Sequence, residues 1–204
     1  MNKARVETFS DGVFAIAITL LVLTIAQPGT HDYTDLRRAL LGRWPSLAAY
    51  GVSFVVIGIM WVNHHTVFSH LRRIDRGLFY WNLLLLMTIV FIPYPTEIFG
   101  AALRHHEGAK TAAVFYSVTM VINACAWAAL WLYCSNGRRL LVDEFPESVR
   151  TTSTILFIAG VVVYLVSIGV ALLNPYVCLL FHGVLALYYA LDPISRSTAH
   201  ARSD

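Results

Sequence analysis

Long apolar stretches separated by short polar turns run along most of the chain. No Asp, Glu, Lys or Arg occurs between Asp11 and Asp32, and the same holds from Trp44 to Leu71, Gly77 to Thr96 and Thr111 to Gly137. Each run can cross a hydrocarbon layer of ~30 Å, for which about 20 helical residues suffice. The last charge-free run, Thr151 to Leu191, spans 41 residues and is broken by a turn signal at Asn174-Pro175, so it reads as two helices in a tight hairpin. The pattern predicts an all-α integral membrane protein with six transmembrane helices, at about 9–26, 44–70, 77–98, 111–134, 151–173 and 176–192. They form one domain over residues 1–204, with no internal repeat. Pro93 and Pro95, in "FIPYPTE", are expected to kink or end the third helix near one membrane face, because neither can donate a backbone hydrogen bond.

Composition agrees with this layout. The chain is 57% hydrophobic and 13% charged, with a mean hydropathy of +0.63, well to the apolar side of a soluble domain. Placing the amino end inside puts ten basic residues in inner segments, among them Lys3, Arg5, Arg72 and Arg73, against five in outer ones. That asymmetry predicts both termini in the cytoplasm. The net charge of +3 is therefore a topology signal; with no soluble face to carry a basic cluster, nucleic acid is excluded as a partner. A signal peptide cleaved after Ala26 fits poorly, since Asp11 interrupts the apolar onset. Cys125, Cys134 and Cys178 match no ligand spacing and read as small buried hydrophobes. Thirteen arginines against two lysines suggest a GC-rich bacterial genome, hence a bacterial cell membrane.

Candidate chemistry concentrates in the first span. At 100° per residue, Gly12, Ile16, Thr19, Leu20 and Leu23 share one stripe, away from Ala15, Ala17 and Val22. If several copies ringed an axis, the stripe would form an aliphatic constriction with hydroxyls one turn away, gating by bore and wetting. Alternatively it is a packing seam inside one protomer, with Thr19 bonded back to its own helix. At the head of the span, Ser10 or Asp11 could cap the helix, the carboxylate favoured by the helix dipole. Arg5 and Asp11 lie about 600° apart on the helix and so must pair with other helices. In the second span, "WVNHHTVFSH" offers His64, His65 and His70, whose spacing matches no metal-ligand pattern. His70 is the expected partner of Arg5 and Asp11 near the inner face.

The run Arg5-x3-Phe9-Ser10-Asp11 opening an apolar first helix resembles the signature of the transmembrane-protein-175 family, the lysosomal potassium channels and their bacterial relatives. The likeness continues through Trp61, the "NHH" after it, His70, the "NLLLL" of the third span and its "IPYPTE" end, covering roughly the first 100 residues. The resemblance implies a potassium-selective cation channel, with the first helix of each subunit lining the central pore of a homotetramer. It further implies that Ile16 forms the main hydrophobic constriction and that Thr19, Leu20 and Leu23 form the layers beyond it. It also implies that Arg5, Ser10, Asp11, Trp61 and His70 belong to a polar network tying span one to span two. Membrane lipid and potassium ions are the expected partners, with no cofactor and no metal site. No T-V-G-Y-G loop occurs, so selectivity would come from shedding water at an apolar ring rather than from backbone carbonyls.

Two other function classes compete. A secondary transporter would show inverted repeats and helices broken at mid-membrane, and neither is visible. An intramembrane enzyme would need a nucleophile and base deep in the bundle. Asn82 and Asn123 are the deepest strongly polar groups, and both read as hydrogen-bonding links between helices.

Overall fold

The computed structural model describes residues 2–25, 34–138 and 140–190. Eight α-helices lie among them: α1 (Lys3–Leu20), which tightens into a 3-10 turn at Leu21–Thr24, α2 (Leu36–Leu41), α3 (Trp44–Ser69), α4 (Arg76–Phe91), α5 (Pro93–His105), α6 (Ala109–Ser135), α7 (Glu147–Leu173) and α8 (Pro175–Ala190). Lys3–Thr24, α3, the α4–α5 pair, α6 and α7 are each long and apolar enough to cross a membrane; α8 is apolar too, with 16 residues among those described. The protein is thus a multi-pass helical membrane protein. The expected helix ends at 26 and 192, the cleavage point after Ala26, Arg139 and the carboxyl tail lie outside the described residues.

Two boundaries differ most from the hydropathy reading, while α7 starts four residues early, at Glu147. The first helix starts at Lys3, a full turn and more before the apolar run, because Lys3, Arg5 and Glu7 continue it into the polar zone. The third span does not stop at its prolines. Phe91 ends α4, Ile92 keeps a helical backbone, and Pro93 opens α5, where a missing N–H is harmless, so the chain kinks and continues to His105.

Helix α6 occupies the middle of the bundle, packed on α4, α5, α7 and α8, while α3 packs chiefly on α5, α8 and α1. Apolar side chains gain little by leaving lipid for protein, so close packing and buried hydrogen bonds must hold such helices together. Gly100 shows the packing: a Cβ there would lie 2.9 Å from the Ser46 Cα, so only glycine lets α5 approach α3 this closely. The hydrogen bonds cross at several levels. Ser53 of α3 meets Thr96 of α5 at 2.8 Å and the Tyr116 hydroxyl of α6 at 3.0 Å, Asn123 Nδ2 donates to Thr88 Oγ1 at 2.7 Å, and Trp131 Nε1 donates to Thr154 at 2.9 Å. Cys134 and Cys178 are buried as expected, but Cys125 is exposed, since its position on α6 faces away from every neighbour.

At one end of the bundle the α3–α4 turn and the α6–α7 connection form a clasp. Arg72 N donates to Leu140 O at 2.8 Å and Val142 N to His70 O at 3.0 Å, pairing Leu71 with Leu141 as a single antiparallel bridge. Lys3 Nζ ties the start of α1 to the same turn through Leu71 O at 2.9 Å. Asp75 caps α4 through Leu78 N and accepts from the Tyr133 hydroxyl.

Candidate functional site

Helix α1 has two opposed faces. Val6, Ser10, Phe14, Ala17, Leu21 and Thr24 are buried against the protomer. Gly12, Ile16, Thr19 and Leu23 each follow one of the buried residues by two positions, about 200° around the helix, and so point outward. Ile16 is 58% exposed, Leu23 73% and Leu20 39%, and Gly12 and Thr19 are exposed as well. The stripe is therefore not a seam inside one protomer; it is the face that the protomer leaves uncovered. Thr19 Oγ1 lies 2.9 Å from both the Ala15 and Ile16 carbonyls. Its single proton is spent on its own helix, which leaves oxygen lone pairs, and no donor, on the exposed face.

The buried face is anchored by a chain of hydrogen bonds across three helices. Ser10 Oγ donates to the Val6 carbonyl at 2.9 Å and accepts from Asn82 Nδ2 of α4 at 3.0 Å. Asn82 Oδ1 in turn lies 2.9 Å from His64 Nε2 of α3. Because the amide nitrogen is committed to Ser10, its oxygen must accept, so His64 carries its proton on Nε2. All three side chains are buried. Aromatic rings enclose the imidazole: Phe68 stacks at 4.0 Å between centroids, and Phe14 and Trp127 meet it edge-on at 5.4 and 6.3 Å.

A second link joins α1 to α3 on the outer surface, where Trp61 Nε1 donates to Asp11 Oδ1 at 2.8 Å. Both residues are exposed on the protomer. The structure thus divides the network expected of Arg5, Ser10, Asp11, Trp61 and His70. Asp11 and Trp61 meet, whereas Ser10 turns inward to Asn82. His70 follows Trp61 by nine residues, two and a half turns, and so lies on the opposite side of α3, packed edge-on to Phe145 of the clasp at 5.0 Å. Trp61, not His70, takes the Asp11 carboxylate. Arg5 is exposed, on the same meridian as Gly12 and Leu23, and no hydrogen bond or ion pair joins it to another described residue.

His64 and Asn82 are the members that spacing alone did not single out as site residues. The signal for Asn82 was its depth; for His64 there was none, because His64 and His65 are adjacent and nothing in the sequence says which one turns inward. No cluster of three metal-ligating side chains occurs among the described residues.

Fold and site together define a polytopic helical membrane protein whose first helix is fixed on one face by a buried polar chain and presents an apolar, hydroxyl-bearing ridge on the other. A family profile described as "Endosomal/lysosomal potassium channel TMEM175" matches residues 5–93. A Streptomyces collinus protein named as a potassium channel is 44% identical over 98% of each chain. A crystal structure titled as a lysosomal potassium-selective channel TMEM175 homolog from Chamaesiphon minutus superposes with a TM-score of 0.83 at 38% identity, covering 93% of this chain and 96% of that one. The human relative, named as an endosomal/lysosomal proton channel, is 37% identical over 65% of this chain but only 29% of its own length. The chain belongs to the TMEM175 family, a family of ion channels and not of enzymes.

Proposed function

We propose that this chain is one subunit of a homotetrameric, potassium-selective cation channel of a bacterial cytoplasmic membrane, with both termini inside. Four copies of α1 surround the pore and turn Gly12, Ile16, Thr19, Leu20 and Leu23 toward it. The observation that carries this reading is the exposure of that stripe on a protomer that buries the opposite face of the same helix. An oligomer axis along it gives large aliphatic groups, a ring of threonine lone pairs and a wider mouth a common centre. The names of the similar channels support passive potassium conduction.

Ile16 forms the narrowest ring, where an ion must shed part of its hydration. Potassium holds its water less tightly than sodium and passes at lower cost, without a carbonyl filter. The Ser10–Asn82–His64 chain sets the rotation of α1 about its axis, and the Asp11–Trp61 bond fixes its tilt at the inner end. Arg5, at the inner mouth, pairs with acidic or carbonyl groups of a sister subunit. The test is ion flux from liposomes holding the purified protein, with potassium and sodium gradients compared. Fast, non-saturating potassium flux that drives a membrane potential supports a channel; saturating uptake coupled to a second solute, or no flux, refutes it.

A further inference from the structure

The two flanks of α1 differ, and the difference dictates how sister subunits meet. Helix α1 packs on α3 along one flank, where Asp11 accepts from Trp61, and on α4 along the other, where Ser10 accepts from Asn82. When copies ring an axis with α1 innermost, every contact repeats head to tail, so the α3 side of one subunit faces the α4 side of the next.

Both sides carry an uncovered stripe. Phe54, Gly58 and Trp61, spaced by four and three residues, share one face of α3; Leu84, Met87 and Phe91, spaced by three and four, share one face of α4. The five large side chains are exposed on the protomer, Met87 most of all at 63%. Gly58 is a notch, since a Cβ built there would meet nothing within 4 Å. The two helices run in opposite directions from one turn, with their clasp ends at Ser69 and Arg76. Counted from those ends, Trp61 and Leu84 each lie eight residues in, Gly58 and Met87 eleven, and Phe54 and Phe91 fifteen. The three pairs therefore sit at depths of about 12, 16 and 22 Å. The most exposed side chain of one stripe lies level with the notch in the other.

We infer that α3 of one subunit packs on α4 of the next along these stripes, with Met87 seated over Gly58 between the Trp61–Leu84 and Phe54–Phe91 pairs. The inference rests on the tetramer reading and supplies its interface. Glycine on a membrane helix lets another helix approach closely, whereas a lipid tail gains nothing from a notch at one fixed depth. The packing also covers the exposed Asp11–Trp61 bond: Leu84 of the neighbour closes over the indole and shields a polar pair at membrane depth, where uncovered polar groups are costly.

The test places Gly58→Cys and Met87→Cys together in a full chain carrying Cys125→Ser, and oxidises the membranes with iodine. A ladder of covalent dimer, trimer and tetramer is expected on non-reducing gels, because a head-to-tail contact leaves each subunit a second free end until the ring closes. Either cysteine alone should give no ladder. Gly51→Cys with Met87→Cys is displaced by about 10 Å along α3, beyond the ~7 Å between Cα atoms that a disulfide can span, and should not cross-link. Gly58→Leu fills space that is empty in the protomer, so the protomer should fold while the tetramer's dissociation constant on size-exclusion chromatography rises about tenfold. Met87→Ala in the same chain should restore the tetramer. Where the unaltered chain elutes as a tetramer, a ladder that stops at dimers, an offset pair that cross-links equally well, or no cross-link at all overturns the interface alone. Elution of the unaltered chain as a monomer or dimer overturns the tetramer reading and this interface with it.

Discussion

The buried chain Ser10–Asn82–His64 lends itself to a double-mutant cycle. Asn82→Leu keeps the branching and heavy-atom count of the side chain but leaves the His64 Nε2 proton, 2.9 Å from its acceptor in the structure, without a partner in a site that water does not reach. An orphaned buried donor costs ~1–3 kcal/mol, although hydrogen bonds between membrane helices average only ~0.6 kcal/mol with a maximum near 1.7. Ser10 keeps its own bond to the Val6 carbonyl, so one donor rather than two is orphaned, and a loss of about 2 kcal/mol is expected. His64→Phe preserves the stack on Phe68 but orphans the Asn82 oxygen, for a similar loss. Combining the two removes donor and acceptor together, so the double variant should lose well under the sum of the single losses, a coupling of about 1.5 kcal/mol. Unfolding in mixed detergent micelles, followed by tryptophan fluorescence with subunit association held constant, gives the three differences. Additive losses, with a coupling below about 0.5 kcal/mol, would show that the two side chains do not share a bond and that the rotation of α1 is set by packing alone.

Three further outcomes follow from the same geometry. Trp61→Phe removes the one donor to Asp11 Oδ1 among the described residues but keeps an aromatic ring; stability should fall by ~1 kcal/mol or less because the bond is exposed, while the open probability in single-channel recordings changes, and an unaltered recording would separate Asp11 from gating. Gly100→Val drives a Cβ into the Ser46 backbone and should abolish folded protein in size-exclusion chromatography, whereas Gly12→Ala, with nothing within 4 Å of its Cβ in the protomer, should fold normally. Asp143→Ala breaks a 2.7 Å ion pair with Arg72 whose partners are 48% and 80% exposed, so its effect on thermal unfolding should stay below about 0.5 kcal/mol.

How much of this could be read from the chain depends on which physical signal each feature leaves. Charge-free runs mark where hydrocarbon lies, so the spans were legible, but they do not mark where helices end. Lys3, Arg5 and Glu7 are excluded from the bilayer and yet continue α1, and Pro93 begins a helix rather than ending one. Periodicity grouped Gly12, Ile16, Thr19, Leu20 and Leu23 on one stripe; it could not say whether that stripe was buried, because an apolar ridge suits a seam, a lipid face and a pore equally. Which of two adjacent histidines turns inward is set by Asn82 on another helix. His70 looked like a partner for Asp11 from its depth, but depth ignores azimuth, and the half-turn separating it from Trp61 sends it to Phe145. The clasp was hidden for a different reason: a bridge of a single residue pair, Leu71 with Leu141, has no period to detect.

If the exposed stripe of α1 faces water at an axis shared by sister subunits, as proposed, a cysteine placed on it reacts with a water-borne reagent and one placed off it does not. Cysteine accessibility tests it directly, because Val22 is also exposed on the protomer, at 54%, but lies off the stripe. Potassium currents through Ile16→Cys, Thr19→Cys, Leu23→Cys and Val22→Cys channels would be recorded while a charged, membrane-impermeant methanethiosulfonate is applied, with the unaltered chain as control for Cys125. Irreversible block at Leu23 and Thr19, slower block at Ile16 and none at Val22 is the predicted pattern. Block at Val22 with none along the stripe would place the water-filled path elsewhere and leave α1 facing lipid.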